Sequence, residues 1–139
     1  MLKYRAVNFV QKRMANPLVR WVLMRGWRMP GYALLETTGR TSGRARRVPV
    51  GDGQVDDVFW IVAEHGRRAA YVRNIEANPR VRVKVRGHWR EGMATVLGDD
   101  DPRARQRWLG HARPSTRLNS IAVRTLGTDL LTVRIDLDE

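Results

Sequence analysis

Residues 37 to 49 read Thr37-Thr38-Gly39-Arg40-Thr41-Ser42-Gly43-Arg44-Ala45-Arg46-Arg47-Val48-Pro49, the densest anion-binding chemistry in the chain. Two glycines permit a tight turn that presents backbone N–H groups toward one point. Thr38, Thr41 and Ser42 add hydroxyl donors. Arg40, Arg44, Arg46 and Arg47 supply guanidinium forks that bind phosphate or carboxylate in a bidentate way. On an extended strand Arg44 and Arg46 share a face. Such a stretch is either a cradle for a ligand with several negative charges or a polar turn whose arginines face water. It is not a P-loop, because no Lys-[Ser/Thr] follows at the required spacing.

Other chemistry is sparse. His65, His88 and His111 lie far apart, with no HxH or HExxH spacing and no cysteine, so no metal site is expected. Asp99-Asp100-Asp101 precedes Pro102 and suits a helix N-terminus better than a calcium loop. Without cysteine there is neither a thiol nucleophile nor a disulfide framework, and a reducing cytoplasm is the expected compartment. The longest purely apolar run, Val58 to Ala63, is far too short to span a bilayer, and the N-terminal residues lack a secretory leader's apolar region. The formal net charge is +12, and of the 26 basic residues only Lys3, Lys12 and Lys84 are lysines. The arginines are spread over almost every segment, with no helix-turn-helix, RNP or basic-zipper pattern. Only salt-sensitive, nonspecific affinity for nucleic acid follows from that.

The elements that must position the hairpin can be read from periodicity. Lys3 to Met14 and a second segment opened by Asn16-Pro17 and closed near Gly26 read as helices. Strands are expected at Ala33 to Thr38, Arg44 to Val50 and Val58 to Ala63, the last apolar on both faces. A helix over Ala69 to Ala77 stops at Asn78-Pro79. Val81, Val83 and Val85 alternate with arginine and lysine in a half-buried strand, Gly87-His88 turns the chain, and a further strand runs from Trp89 to about Leu97. Asp101-Pro102 opens a helix ending by Gly110, Asn119 to Leu126 reads as a short helix, and Leu131 to Leu137 is a clean final strand. With 139 residues and no repeat or linker, one domain over 1–139 is expected, its helical residues 1–30 packed on the barrel or on a membrane surface. Regular β-α alternation is absent, so the expected class is α+β: a mainly antiparallel split β-barrel of six or seven strands.

The hairpin also carries a resemblance. Thr37-Thr38-Gly39-Arg40, Ser42-Gly43, Arg46 and Pro49 together resemble the signature of the deazaflavin (coenzyme F-420)-dependent nitroreductase and quinone reductase family. A second block, Val62-Ala63 and then Asn74-Ile75-Glu76-Ala77-Asn78-Pro79 with Val81 and Val83, is similar to that family in the same order, with Tyr71 as the aromatic before the asparagine. The resemblance implies a split barrel that binds F-420 in a groove beside the hairpin. Its phosphate and glutamate tail would meet Arg40, Thr41, Ser42 and Gly43, then Arg46, Arg47, Val48, Pro49 and Val50. Val62, Ala63, Glu64 and His65 would lie along the ring, with Tyr71 to Asn74, Arg73 included, closing the pocket.

Departures from the family pattern are specific. Thr41 stands where lysine is common, so Arg44 or Arg47 would have to replace that contact. Glu64 and His65 stand where a serine and an aromatic are common. The only tyrosines are Tyr4, Tyr32 and Tyr71, so no tyrosine after Tyr71 can face the substrate as in nitroreductive members.

The activity implied is hydride transfer from reduced F-420 to a small organic acceptor: a quinone, a nitroaromatic or another activated double bond. The cofactor performs the hard step and the protein orients it, so no protein nucleophile is required. His65 is the one proton-donor candidate, against its reading as a surface histidine beside Glu64. FMN is the alternative cofactor, and a non-catalytic F-420- or nucleic-acid-binding module the alternative to an enzyme. Trp21 and Trp27 among arginines suit either an anionic membrane surface, where a lipid quinone would be met, or packing over the barrel mouth. The expected location is accordingly cytoplasmic, with peripheral contact at the inner membrane face as the further option, and split barrels often pair as homodimers.

Overall fold

A computed structural model describes residues 31–112 and 129–139. The helices expected within residues 1–30 and at Asn119 to Leu126 lie outside these. Seven strands form one antiparallel sheet: β1 (Tyr32–Thr38), β2 (Ala45–Gly51), β3 (Gln54–Val55), β4 (Val58–Ala63), β5 (Arg80–Val85), β6 (His88–Leu97) and β7 (Leu131–Leu137). Their spatial order is β2-β1-β5-β6-β7-β4-β3. Two helices accompany them, α1 (Ala70–Ala77) and α2 (Pro102–Ala112), and a 3-10 turn spans Gly66–Arg68. The fold is a split barrel, as the alternation of short strands predicts.

Period-two alternation decides what lies inside. Ala33 and Leu35 of β1, Val50 of β2, Phe59, Ile61 and Ala63 of β4, the three valines of β5, Ala94 of β6 and the four apolar residues of β7 form one core cluster. Register makes this consistent, since Leu35 lies opposite both Val48 and Val83, and Val133 opposite both Ile61 and Val96. Val72 and Ile75 of α1 join the same cluster. The helix thereby closes the inner face beside β1 and β6, against which it packs.

β4 is buried on both faces for a reason the sequence hides. Phe59 and Ile61 face the core, while Trp60, only 8% exposed, faces outward beneath α2. Trp108 of α2 meets Trp60 edge-to-face at 5.7 Å between ring centroids. The Arg105 guanidinium lies 4.0 Å above the Trp60 ring. The start of α2 matches expectation: Asp101 Oδ1 accepts hydrogen bonds from the N–H groups of Arg103 and Ala104, both at 3.1 Å, just before Pro102.

The two-residue β3 was not foreseen. Residues Gly51 to Gly53 carry the chain from one edge of the sheet, β2, to the other, β3, which requires the sheet to curl. Trp60 N–H donates to Gly53 O at 2.9 Å, and a Cβ at position 53 would sit 1.9 Å from Trp60 O. Only glycine allows that approach. Asp52 is buried at the crossing, where its Oδ2 accepts from Arg86 Nη1 at 2.8 Å. The β5–β6 turn sits one residue earlier than expected: Arg86 and Gly87 take φ values of 49° and 85°, the left-handed pair of a tight hairpin, so His88 already belongs to β6.

The outer face of β2, β1 and β5 is joined by Glu36. Arg82 donates to both of its carboxylate oxygens at 3.0 Å, and Arg47 Nε donates to Oε2 at 2.9 Å. These hydrogen bonds, Arg82's first, hold the Glu36 carboxyl below the usual carboxylate range against the opposing effect of burial. A group held low when folded stabilises above its unfolded value and loses that contribution as pH falls through the folded one. Glu36→Gln is expected to cost about 1.5–3 kcal/mol at neutral pH, and the gap from wild type should close as pH drops below about 4.5. Urea denaturation from neutral to acid pH measures both; a gap that stays constant with pH contradicts the assignment.

Candidate active site

The β1–β2 hairpin is built by its own backbone. Gly39 N–H donates to Arg44 O at 2.8 Å and Gly43 N–H to Gly39 O at 2.9 Å, while Ser42 Oγ accepts from Arg44 N–H at 3.2 Å. Gly43 has φ of +69°, in the left-handed region. Residues 40 to 46 are all exposed. Among the described residues nothing accepts from the N–H groups of Thr41 and Ser42, so two donors, not a whole run, remain open at the turn.

Asn74 ties this hairpin to α1. It is 4% exposed, and its Nδ2 donates to Thr37 Oγ1 at 3.1 Å. Its Oδ1 accepts from Arg40 N–H at 3.2 Å and from Arg40 Nη1 at 2.9 Å. Arg40 Nη1 also reaches Ala70 O at 3.4 Å. The two sequence blocks that carry the resemblance are therefore in direct contact. That contact spans 37 residues of chain between Thr37 and Asn74, and no local signal in the sequence announces it.

Strand alternation divides the expected tail-binding set. Arg46, opposite Thr37, shares the inner face with Val48 and Val50. Arg47 and Pro49 lie on the outer face, opposite Glu36 and Leu34. Arg47 is occupied there by Glu36 and lies 5.1 Å from the centroid of the Trp89 ring. Arg82 at 4.6 Å and Lys84 at 5.8 Å crowd the same ring. This cluster joins β2, β1, β5 and β6 on the outer face of the sheet, around the Trp89 ring. Arg44 and Arg46 have no acidic partner among the described residues.

The second expected group divides in the same way. Ala63 faces the core, whereas Val62 lies on the opposite face across from Thr132. Beyond the strand, Glu64 O accepts from Asp129 N–H at 3.3 Å, fixing the turn that carries Glu64 and His65. Tyr71 packs against the core cluster and Arg73 is exposed on α1. Burial pushes the Glu64 carboxyl up. It pushes the Tyr71 hydroxyl far above its ordinary range, with the Glu64 charge adding to the effect. Burial, and then the Arg68 charge, hold the His65 imidazole below its usual value, with Asp129 opposing them.

The molecule is a split barrel with a cationic, donor-rich hairpin fastened to the helix that closes its inner face. The family model of F-420H(2)-dependent quinone reductase matches residues 7–138, and the chain belongs to that family. Among solved structures, an F-420-H2-dependent reductase (FDR-A) is 21% identical with a TM-score of 0.56, over 76% of this chain and 93% of that one. A structure described as a domain-swapped dimer is 20% identical with a TM-score of 0.59, covering 91% and 98%. HutZ, the heme storage protein from Vibrio cholerae, is 15% identical with a TM-score of 0.55, covering 89% and 90%. At such identities these establish the shared fold. No curated protein matches the chain. The protein is thus an oxidoreductase that uses F-420 and moves hydride from reduced F-420 to a small organic acceptor.

The shift at His65 has a consequence for its candidacy as proton donor. Burial thus favours the neutral form of the His65 imidazole, the form without the additional proton that a donor would give. Turnover of His65→Gln is expected to keep the wild-type pH profile between pH 6 and 8. Loss of a limb from that profile would make His65 the donor.

Proposed function

We propose that the β1–β2 hairpin is where this reductase holds the phosphate and glutamate tail of F-420, and that its acceptor is a quinone. The observation that carries the placement is the state of the arginines. Arg44 and Arg46 are exposed and without carboxylate partners among the described residues, although the same sheet pairs Arg47, Arg82 and Arg86 with acids. Unneutralised guanidiniums in a turn with two open N–H donors suit an elongated polyanion. Thr41 supplies a backbone donor where the family often has a lysine.

From the tail, Arg46 leads along the inner face to Val48 and Val50, an apolar wall suited to excluding water. Ala63 and Tyr71 border the same core, and the strand end at Glu64 and His65 is our choice for the edge of the ring. When bound, reduced F-420 supplies the hydride. The chain's part is to orient it, to exclude water and to keep Glu64 and Tyr71 protonated more readily than in solvent. Val62, Arg47 and Pro49 face the other way and act through the strands that carry them. In this reading they do not touch the cofactor.

A lipid quinone is met at a membrane. Among the described residues no helix is long and apolar enough to cross one. We assign peripheral contact with an anionic surface to residues 1–30, where Trp21 and Trp27 stand among arginines. Pairing of two copies, as in the relative described as a domain-swapped dimer, belongs to the same proposal. Flotation on anionic vesicles, run with the full chain and with residues 1–30 removed, should show binding only for the full chain, with sizing reading a dimer. Equal flotation of both forms contradicts the membrane assignment.

The placement itself is tested by Arg46→Ala. Loss of a charge-assisted hydrogen bond should weaken F-420 binding by about 1.5–3 kcal/mol, read by fluorescence titration, with the fold intact by circular dichroism. Unchanged affinity removes the tail from the hairpin.

A further inference from the structure

Arg40 is exposed yet held in place by neutral groups. Its Nη1 donates to Asn74 Oδ1 at 2.9 Å and to Ala70 O at 3.4 Å, and its backbone N–H donates to the same Asn74 oxygen at 3.2 Å. Both Arg40 groups can only donate, so the amide atom that faces them must be the oxygen, which leaves Nδ2 to Thr37. No carboxylate pairs with Arg40 among the described residues, and its Nε and Nη2 are left open. Arg47 and Arg82, held by Glu36, are the contrasting case.

An acid at position 74 would fasten Arg40 more tightly but cancel its charge. An amide fastens it and leaves the charge whole. We propose that Asn74 is a positioning residue that aims an uncancelled Arg40 guanidinium at the tail of bound F-420; this rests on the placement of that tail at the hairpin. Holding a long, rotamer-rich side chain before the ligand arrives removes part of the ordering cost of binding. Burial of Asn74 keeps water from competing for Arg40 Nη1. The same amide fixes Thr37 at the end of β1, so the aim of Arg40 and the position of the hairpin are set together.

Asn74→Asp tests this, because the new side chain has the same shape and can keep both hydrogen bonds from Arg40. Its thermal midpoint should be held or raised. Its dissociation constant for F-420 should rise about tenfold or more at low salt, an effect that shrinks as salt is added. Affinity for the same deazaflavin without its phosphate and glutamates should be unchanged. Arg40→Met keeps the backbone bond to Asn74 and removes only the cation, so it should show the same selective loss even if the aspartate variant folds poorly. Wild-type F-420 affinity in either folded variant overturns the proposal, as does equal loss of both deazaflavins. If the wild-type protein binds the two deazaflavins equally well, the tail placement itself has failed and this proposal falls with it.

Discussion

One buried amide organises the site. Asn74 joins the end of β1, the hairpin that follows it and the helix that closes the inner face of the barrel. A buried amide with all its partners met is rigid, and a buried amide that loses them is costly. The exposed turn is otherwise held by its own backbone and by Ser42, and Asn74 is what fastens it to the helix. That helix has its Val72 and Ile75 in the core. Packing in the barrel is thereby transmitted to the hairpin surface proposed to hold the cofactor's tail.

The second constraint is the pleat of the strands, which sorts a strongly basic chain into cations with different tasks. On the outer face, Glu36, Arg47, Arg82 and Trp89 form a closed cluster that joins four strands. At the hairpin Arg44 and Arg46 stay uncompensated. A net charge of +12 is therefore not evenly available to a ligand. The electrostatics of the site depend on which arginines the fold has left without acids, and alternation makes that selection. The chain belongs to the F-420H(2)-dependent quinone reductase family, and in the proposed placement the uncompensated arginines are the ones offered to the anionic tail of the cofactor.

Much of the barrel was legible in the sequence because its strands alternate cleanly. Val58–Ala63 and Leu131–Leu137 fall where periodicity puts them, and the capped helix after Asp101 and the stop at Asn78-Pro79 are local chemistry. β3 was not legible, because two residues carry no period; it exists only because the sheet curls and Gly53 lets Trp60 approach. The hairpin was legible as a basic turn, and the family resemblance gave it a cofactor. The division between Arg46 and Arg47, and between Ala63 and Val62, follows from the period of two, which a motif written as a continuous block does not express. The Asn74 contact was not available at all: an asparagine inside a short helix gives no hint of partners 34 and 37 residues earlier.

The central claim is that the open arginines of the β1–β2 hairpin receive the anionic end of the cofactor, and a crystal structure of the protein with F-420 bound tests it most directly. The account predicts tail oxygens within hydrogen-bonding distance of Arg40, Arg44, Arg46 and the N–H groups of Thr41 and Ser42, with Asn74 still holding Arg40. Density for the tail along the outer face beside Trp89, or anywhere away from the hairpin, would contradict it.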